Sequence, residues 1–185
     1  SLGCTVFVLA ARSGHGKTDF SLSLMLLYAA AGQKVLYYSM EMSKKQIMVR
    51  IAAQLTGINN TRIRDKQLTE EEKSKIAKAV GLIRGRESIY VSEKRPSLAD
   101  IRDAIFACRP QVVFIDHLSL MKMPRRKNRY EEVAETTRAL KSLALETGVC
   151  FVELVQMNRD VEKRNSKRPL LSDLKESGTI EEDAD

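Results

Sequence analysis

Lys17 and Thr18 close the turn Ala11-Arg12-Ser13-Gly14-His15-Gly16-Lys17-Thr18, whose residue types and spacing suit a polyphosphate. Gly14 and Gly16 let backbone N–H groups come close to the anion. Lys17 can reach the β- and γ-phosphates, and the Thr18 hydroxyl can ligate Mg2+. Ser13 and His15 contribute through their backbone, so the His15 side chain is expected to point outward. The pattern G-x-x-x-x-G-K-[ST] asks for glycine where this chain has Ala11. The setting is nevertheless the required one. The apolar run Cys4–Ala10 precedes the turn, a helical pattern follows it, and the positive end of that helix faces the same anion.

Three more polar residues stand at the ends of apolar runs. Asp116 follows Val112-Val113-Phe114-Ile115, as a Walker B carboxylate would, placed to hold Mg2+ through water. Its bland alternative is a turn or helix-capping aspartate. Glu41 follows Lys34-Val35-Leu36-Tyr37-Tyr38-Ser39 and could activate an attacking water as general base. It could equally be an acidic residue favouring the positive end of the helix that starts near Ser43. Gln156 follows Phe151-Val152-Glu153-Leu154-Val155. It could hydrogen-bond a γ-phosphate or the attacking water, or simply close a buried strand.

The elements that must position these residues alternate. Strand-like runs are Cys4–Ala10, Lys34–Ser39, Glu87–Ser92, Gln111–Asp116 and Val149–Val155, each short and rich in β-branched or aromatic residues. Helical segments lie between them. Thr18–Ala31 stops at Gly32, and Ser43–Thr56 has Ser43 as N-cap. Thr69–Ile83 opens with a Thr69/Glu72 capping-box spacing, Ser97–Ala107 follows Pro96, and Tyr130–Thr147 ends at Gly148. Alternation of this kind predicts an α/β fold, a parallel sheet flanked by helices in three layers. In an open parallel sheet ligands bind beyond the carboxyl ends of the strands. The turn at 11–18, Glu41, Asp116 and Gln156 should therefore gather on one edge.

Length and composition agree with one domain over residues 1–185. The chain is 43% hydrophobic and 30% charged, and no apolar run is long enough to span a membrane. Cys4, Cys108 and Cys150 are widely separated, which predicts buried reduced thiols in a cytoplasmic protein rather than a disulfide framework. Two histidines, His15 and His117, are too few for a zinc site. The seven methionines are expected in the core or at its edges. The net charge of +7 points to a polyanionic partner mainly through its distribution. One cluster comprises Lys122, Arg125, Arg126, Lys127 and Arg129, and another Arg159, Lys163, Arg164, Lys167 and Arg168, both in segments that read as loops. The chain has no tryptophan, and neither cluster interleaves a run of aromatics, so contact with a nucleic-acid backbone fits better than base stacking.

Several of these segments together resemble one family. Leu9-Ala10-Ala11-Arg12 through Gly16-Lys17-Thr18 is similar to the P-loop of DnaB-type replicative helicases, which also tend to carry alanine at the first position. Ser39-Met40-Glu41-Met42-Ser43 resembles the family's Ser-Leu-Glu-Met-Ser. Ile115-Asp116-His117-Leu118-Ser119-Leu120-Met121 resembles its Asp-Tyr-Leu-Gln-Leu-Met, and Gln156-Met157-Asn158-Arg159 its Gln-Leu-Asn-Arg. The stretch from Lys167 to Gly178 is close to Lys-Arg-Pro-x-Leu-Ser-Asp-Leu-Arg-Glu-Ser-Gly, and the similarity continues through Glu181 to Asp185.

The resemblance implies a RecA-like ATPase domain serving a hexameric 5′-to-3′ DNA helicase, with ATP and Mg2+ as cofactors. It implies phosphate and Mg2+ binding by Lys17 and Thr18, Glu41 as catalytic base and Asp116 as Walker B acid. Gln156 would sense the γ-phosphate and pass that state to the loop after it. In the family that loop holds single-stranded DNA near the positions of Lys175, Glu176 and Gly178. The basic residues Arg159, Arg164, Lys167 and Arg168 belong to the same expected DNA-binding stretch. Lys175 stands where arginine is common, which keeps a point charge but not bidentate geometry. His117 and Ser119 replace tyrosine and glutamine, and Val155 replaces a common serine. A primase and a helicase loader are implied partners, and a homo-hexamer the implied assembly. The family continues into further strands that supply an arginine finger in trans. The expectation is therefore a fragment of a larger protein, with its C-terminal strands truncated and its turnover slow. Competing readings are a recombinase or KaiC-like ATPase without unwinding, a nucleotide-gated scaffold, and a nucleoside kinase, for which no acceptor lid is evident.

Overall fold

A computed structural model describes residues 6–12, 14–84, 88–123, 126 and 129–157. Five strands, β1 (Val6–Ala11), β2 (Val35–Ser39), β3 (Ile89–Ser92), β4 (Val112–Asp116) and β5 (Cys150–Gln156), form one sheet in the order β1-β5-β4-β2-β3. All four neighbouring pairs are parallel. Strands covered on both faces read as near-continuous apolar runs, which is how β2 and β4 look in the sequence and β5 apart from Glu153.

Successive side chains leave a strand on opposite faces, and the core divides accordingly. Val35, Tyr37, Val112, Phe114, Val152 and Leu154 face α1 (Lys17–Ala30) and α2 (Lys44–Thr56), which contribute Leu22, Met25, Ile47 and Ile51. Leu36, Tyr38, Val113, Ile115, Phe151 and Val155 face α5 (Leu98–Cys108) and α6 (Arg129–Thr147), which contribute Ile101, Ile105, Val133 and Leu140. Each such aliphatic or aromatic side chain contributes about 1.5–3 kcal/mol when fully buried. The two faces thus hold the sheet as the middle of three layers. The structure has the parallel, helix-flanked architecture expected from the alternation of elements.

Helix starts are set locally. Ser43 caps α2, accepting from the Gln46 N–H while Gln46 accepts from the Ser43 N–H, and Ser97 and Asp100 do the same for α5. Thr69 and Glu72 exchange the corresponding bonds, at 2.9 and 3.2 Å, at the start of α4 (Glu70–Arg84). The expected Ser43 and Thr69/Glu72 caps are thus present.

Two short pieces are additions to the sequence reading: α3 (Asn60–Arg64), capped by Asn59, and a 3-10 turn at Leu118–Leu120. Neither has a repeat long enough to show periodicity, and α3 buries no residue. Cys150 is buried as expected, but Cys108 at the end of α5 is only half-buried. It is the last residue of the helix, where neighbours no longer surround a side chain. Among the described residues no helix is long and apolar enough to cross a membrane.

Candidate nucleotide-binding site

The carboxyl ends of β1, β2, β4 and β5 lie together because the strands are parallel and in register. Ala11 pairs with Gln156, Ser39 with Asp116, and Asp116 with Leu154. Backbone bonds extend this order past the strand ends. The Met157 N–H donates to the Ala11 carbonyl at 3.1 Å, and the Met40 N–H donates to the Asp116 carbonyl at 2.9 Å. The first bond sets Gln156 beside the entry to the 11–18 turn. The second sets Glu41 beside Asp116.

The turn itself needs two left-handed residues. Gly14 has φ 78° and Gly16 has φ 75°, the latter as N-cap of α1. A side chain at either position would sit in open space yet strain the backbone, at roughly 1–2 kcal/mol per residue. The glycines therefore shape the turn, which then delivers Lys17 and Thr18 to the first turn of α1. His15 is exposed, as expected of a residue contributing backbone only.

A cavity of about 390 Å3 opens at this edge, lined by Gly14, Gly16, Lys17, Thr18, Glu41 and Gln156 among others. Asp116 lies beneath it, 2% exposed, and accepts from Thr18 Oγ1 at 2.9 Å through Oδ2. Its other oxygen, Oδ1, is buried and has no hydrogen-bond partner among the described residues. A buried carboxylate oxygen left this way is costly unless a cation or its water shell comes to it. The donor set, one carboxylate and one hydroxyl beside a phosphate cradle, suits Mg2+. A larger hollow, about 670 Å3, lies at the opposite edge near Phe106, Arg109 and Gly148, and contains none of the expected site residues.

The electrostatics centre on Lys17. Burial lowers its pKa below the ordinary value, while the Asp116 and Glu41 carboxylates oppose that shift. A bound polyphosphate acts in the same direction as the carboxylates, holding the ammonium charged. Glu41 is exposed and lines the cavity. It stands two residues before the Ser43 cap, and α2 has no acidic residue in its first turn. Tyr37 is pushed up from its ordinary pKa by burial and by the Asp116 charge, so its hydroxyl keeps its proton.

Some lining residues were given no role in the site by the sequence reading. Arg50 and Gln46 reach the cavity from α2, Asp19 from α1, Arg12 from the 11–18 turn and Met42 from the segment before α2. Arg50 holds both carboxylate oxygens of Asp19, at 2.5 and 2.6 Å, and Gln54 donates to the Asp19 carbonyl at 2.7 Å. The signal was present: Gln46, Arg50 and Gln54 recur every fourth residue along one face of α2, beside the buried Ile47 and Ile51. His117, assigned no role from the sequence, also lines the cavity.

Of the two basic clusters, Lys122, Arg126 and Arg129 are among the described residues. Arg126 Nη2 is 2.6 Å from Glu135 on α6, which offsets part of the first cluster's charge. Ser13, Arg159, Arg164, Lys167, Arg168, Lys175, Glu176 and Gly178 lie outside the described residues.

Known proteins share this fold. Residues 3–185 match the family model for the DnaB-like helicase C terminal domain. The chain is 39% identical over 189 residues to the replicative DNA helicase DnaB of Haemophilus influenzae, covering 97% of this chain and 40% of the relative. It is 33% identical to that of Helicobacter pylori, covering 98% of this chain and 38% of the relative. The chain thus spans about two fifths of the length of these curated relatives.

Among solved structures, an ATPase domain superposes with a TM-score of 0.91 at 31% identity, covering 98% of this chain and 67% of the other. A DnaB-like replicative helicase, solved in a study of its interactions with primase, superposes at 0.89 and 32% identity, covering 98% and 45%. With sequence and fold similar from the first strand to the last, this chain belongs to the DnaB-like helicase C-terminal domain family.

Proposed function

We propose that residues 1–185 form an ATP-hydrolysing motor domain of a replicative DNA helicase. The observation that carries this reading is the convergence of Lys17, Thr18, Asp116, Glu41 and Gln156 on one edge of the sheet, in a chain of the DnaB-like family. The ATP phosphates lie along the turn at 11–18, on backbone N–H groups of residues 13–16 and the Lys17 ammonium. Thr18 and Asp116 are the residues that would hold Mg2+. Bound Mg2+ supplies neutralisation of charge on the phosphate oxygens.

Glu41 orients a water in line with the γ-phosphate and takes its proton as attack proceeds. Gln156 hydrogen-bonds the γ-phosphate or that water and loses the contact once phosphate departs. Because Gln156 is the last residue of β5, its movement passes directly to the segment that follows. That segment, with Arg159, Arg164, Lys167, Arg168, Lys175, Glu176 and Gly178, contacts the backbone of single-stranded DNA. Six such domains form a homo-hexameric ring around the strand, with a primase and a helicase loader as partners. The readings as a recombinase or KaiC-like ATPase, or as a nucleotide-gated scaffold, are not favoured by a family and relatives that are helicases.

Strand displacement separates them. The whole protein should displace an annealed DNA strand only with hydrolysable ATP. ATP turnover without displacement would return the reading to a RecA- or KaiC-like ATPase. The DNA contact has its own signature. If Arg159, Arg164, Lys167 and Arg168 each neutralise one phosphate, log affinity should fall with log salt at a slope of about −3. Alanine at Arg164 and Lys167 should reduce the steepness by about 1.4. Anisotropy titrations of a labelled single strand at several salt concentrations measure both, and a flat dependence would remove these residues from the interface.

A further inference from the structure

Tyr37 lies inside the sheet, on β2 between the edge strand β3 and the central strand β4, and is wholly excluded from solvent. Its ring stacks on Phe114 with centroids 5.5 Å apart and planes 19° from parallel. A phenylalanine would serve that packing, so the hydroxyl needs a separate explanation. A hydroxyl taken out of water is unfavourable unless it is hydrogen-bonded. This one is 2.7 Å from Ser21 Oγ and donates to Asp116 Oδ2 at 3.1 Å.

The contacts close into a ring. Thr18 Oγ1 donates to the same Oδ2 at 2.9 Å, and Ser21 Oγ is 2.8 Å from the Thr18 carbonyl. The ring ties the first turn of α1 to β2 and β4 through Asp116. Proton counting shows how it is polarised. Ser21 and Tyr37 bring one proton each to three contacts: Ser21 with the Thr18 carbonyl, Ser21 with Tyr37, and Tyr37 with Asp116. Bonds to an ionised acceptor are roughly twice as strong as neutral ones. The Tyr37 proton therefore goes to Asp116, and the Ser21 proton serves the Thr18 carbonyl or the Tyr37 oxygen.

We propose that Tyr37 is a positioning residue for the metal-binding carboxylate: its hydroxyl, braced by Ser21, pins Asp116 Oδ2 and leaves the unpartnered Oδ1 as the oxygen for the metal. With two donors on Oδ2, the carboxylate does not rotate between its oxygens, and the Thr18 hydroxyl stays beside it. This rests on the reading of the cavity as a Mg2+–nucleotide site. Tyr37 touches neither phosphate nor water in that site and acts only through Asp116.

The test is binding, measured with a fluorescent ATP analogue on the whole protein, with EDTA and across a Mg2+ titration. Tyr37→Phe should keep its Mg2+-free affinity within about twofold. The Mg2+ concentration giving half of the metal-dependent tightening should rise about tenfold, the lower end for losing a hydrogen bond to a charged group. Ser21→Ala, which removes the contact with Tyr37 together with the bond to the Thr18 carbonyl and leaves the Tyr37–Asp116 bond in place, should raise it about threefold, and it supplies the same readout if the phenylalanine variant loses stability. An unchanged Mg2+ midpoint in Tyr37→Phe, beside a wild-type chain that shows the Mg2+ dependence, overturns the assignment alone. An equal loss of affinity with and without Mg2+ also overturns it, since that is the mark of altered packing. A wild-type chain that binds nucleotide without any Mg2+ dependence overturns the metal-site reading and the role of Tyr37 with it.

Discussion

Replacing Lys17 with alanine is expected to weaken ATP binding by roughly 30-fold to several thousand-fold, the effect of removing about 2–5 kcal/mol of contact between a charged, partly desolvated pair. The Lys17 ammonium is the group that the glycine turn delivers to the cavity, half-buried and facing the carboxylates of Asp116 and Glu41. Without it the phosphates keep only backbone N–H groups and the end of α1, while Asp116 and Glu41 go on repelling them. The fold should be little affected, because the packing of α1 on the sheet rests on Leu22 and Met25. Equilibrium titration with a fluorescent nucleotide, paired with a thermal melt, measures both quantities. Unaltered affinity would end the assignment of the 11–18 turn as a phosphate site.

The second large effect is expected from Glu41→Gln. If Glu41 is the general base, turnover should fall by about 10²–10⁴-fold while nucleotide affinity changes little. Glutamine keeps the shape and one carbonyl acceptor but cannot take a proton. The competing role, stabilising the start of α2, predicts a different pattern: a loss of about 0.3–1 kcal/mol in stability and no change in turnover. The position favours the first. Glu41 projects from a segment fixed by the bond from Met40 N–H to the Asp116 carbonyl and by Ser39 Oγ donating to the Met42 carbonyl at 2.7 Å. Helix α2 begins only at Lys44. Steady-state phosphate release on the whole protein, with a parallel melt, distinguishes the two patterns. A variant with full turnover would remove Glu41 from the chemistry.

Several parts of the site were legible before any coordinate. The Gly14/Gly16/Lys17/Thr18 turn is local: its shape depends on two left-handed glycines and the helix that starts behind them, all within a few residues. The caps at Ser43 and Thr69 are local for the same reason. Burial on both faces left β2 and β4 as apolar runs and β5 as one interrupted only by Glu153, so the polar residues at their tips stood out. Short pieces were not legible. Helix α3 and the turn at Leu118–Leu120 span too few residues for a hydrophobic period to develop, and their conformation follows from what they connect.

The residue sequence by itself singled out Lys17, Thr18, Glu41, Asp116 and Gln156 as candidates and placed them beyond the ends of parallel strands. Only the tertiary structure decided the company they keep. Strand order is a long-range property, and it is the placing of β4 between β5 and β2 that sets Asp116 against Ser39 on one side and Leu154 on the other. That same order brings Tyr37 and Ser21 to the carboxylate, Arg50 to Asp19, and His117 to the cavity wall. In the sequence Tyr37 is one more apolar-run aromatic, because nothing local distinguishes a hydroxyl facing a core from one facing a carboxylate. Hydrogen bonds between residues nearly eighty positions apart depend on register and face, and both are settled when the sheet assembles.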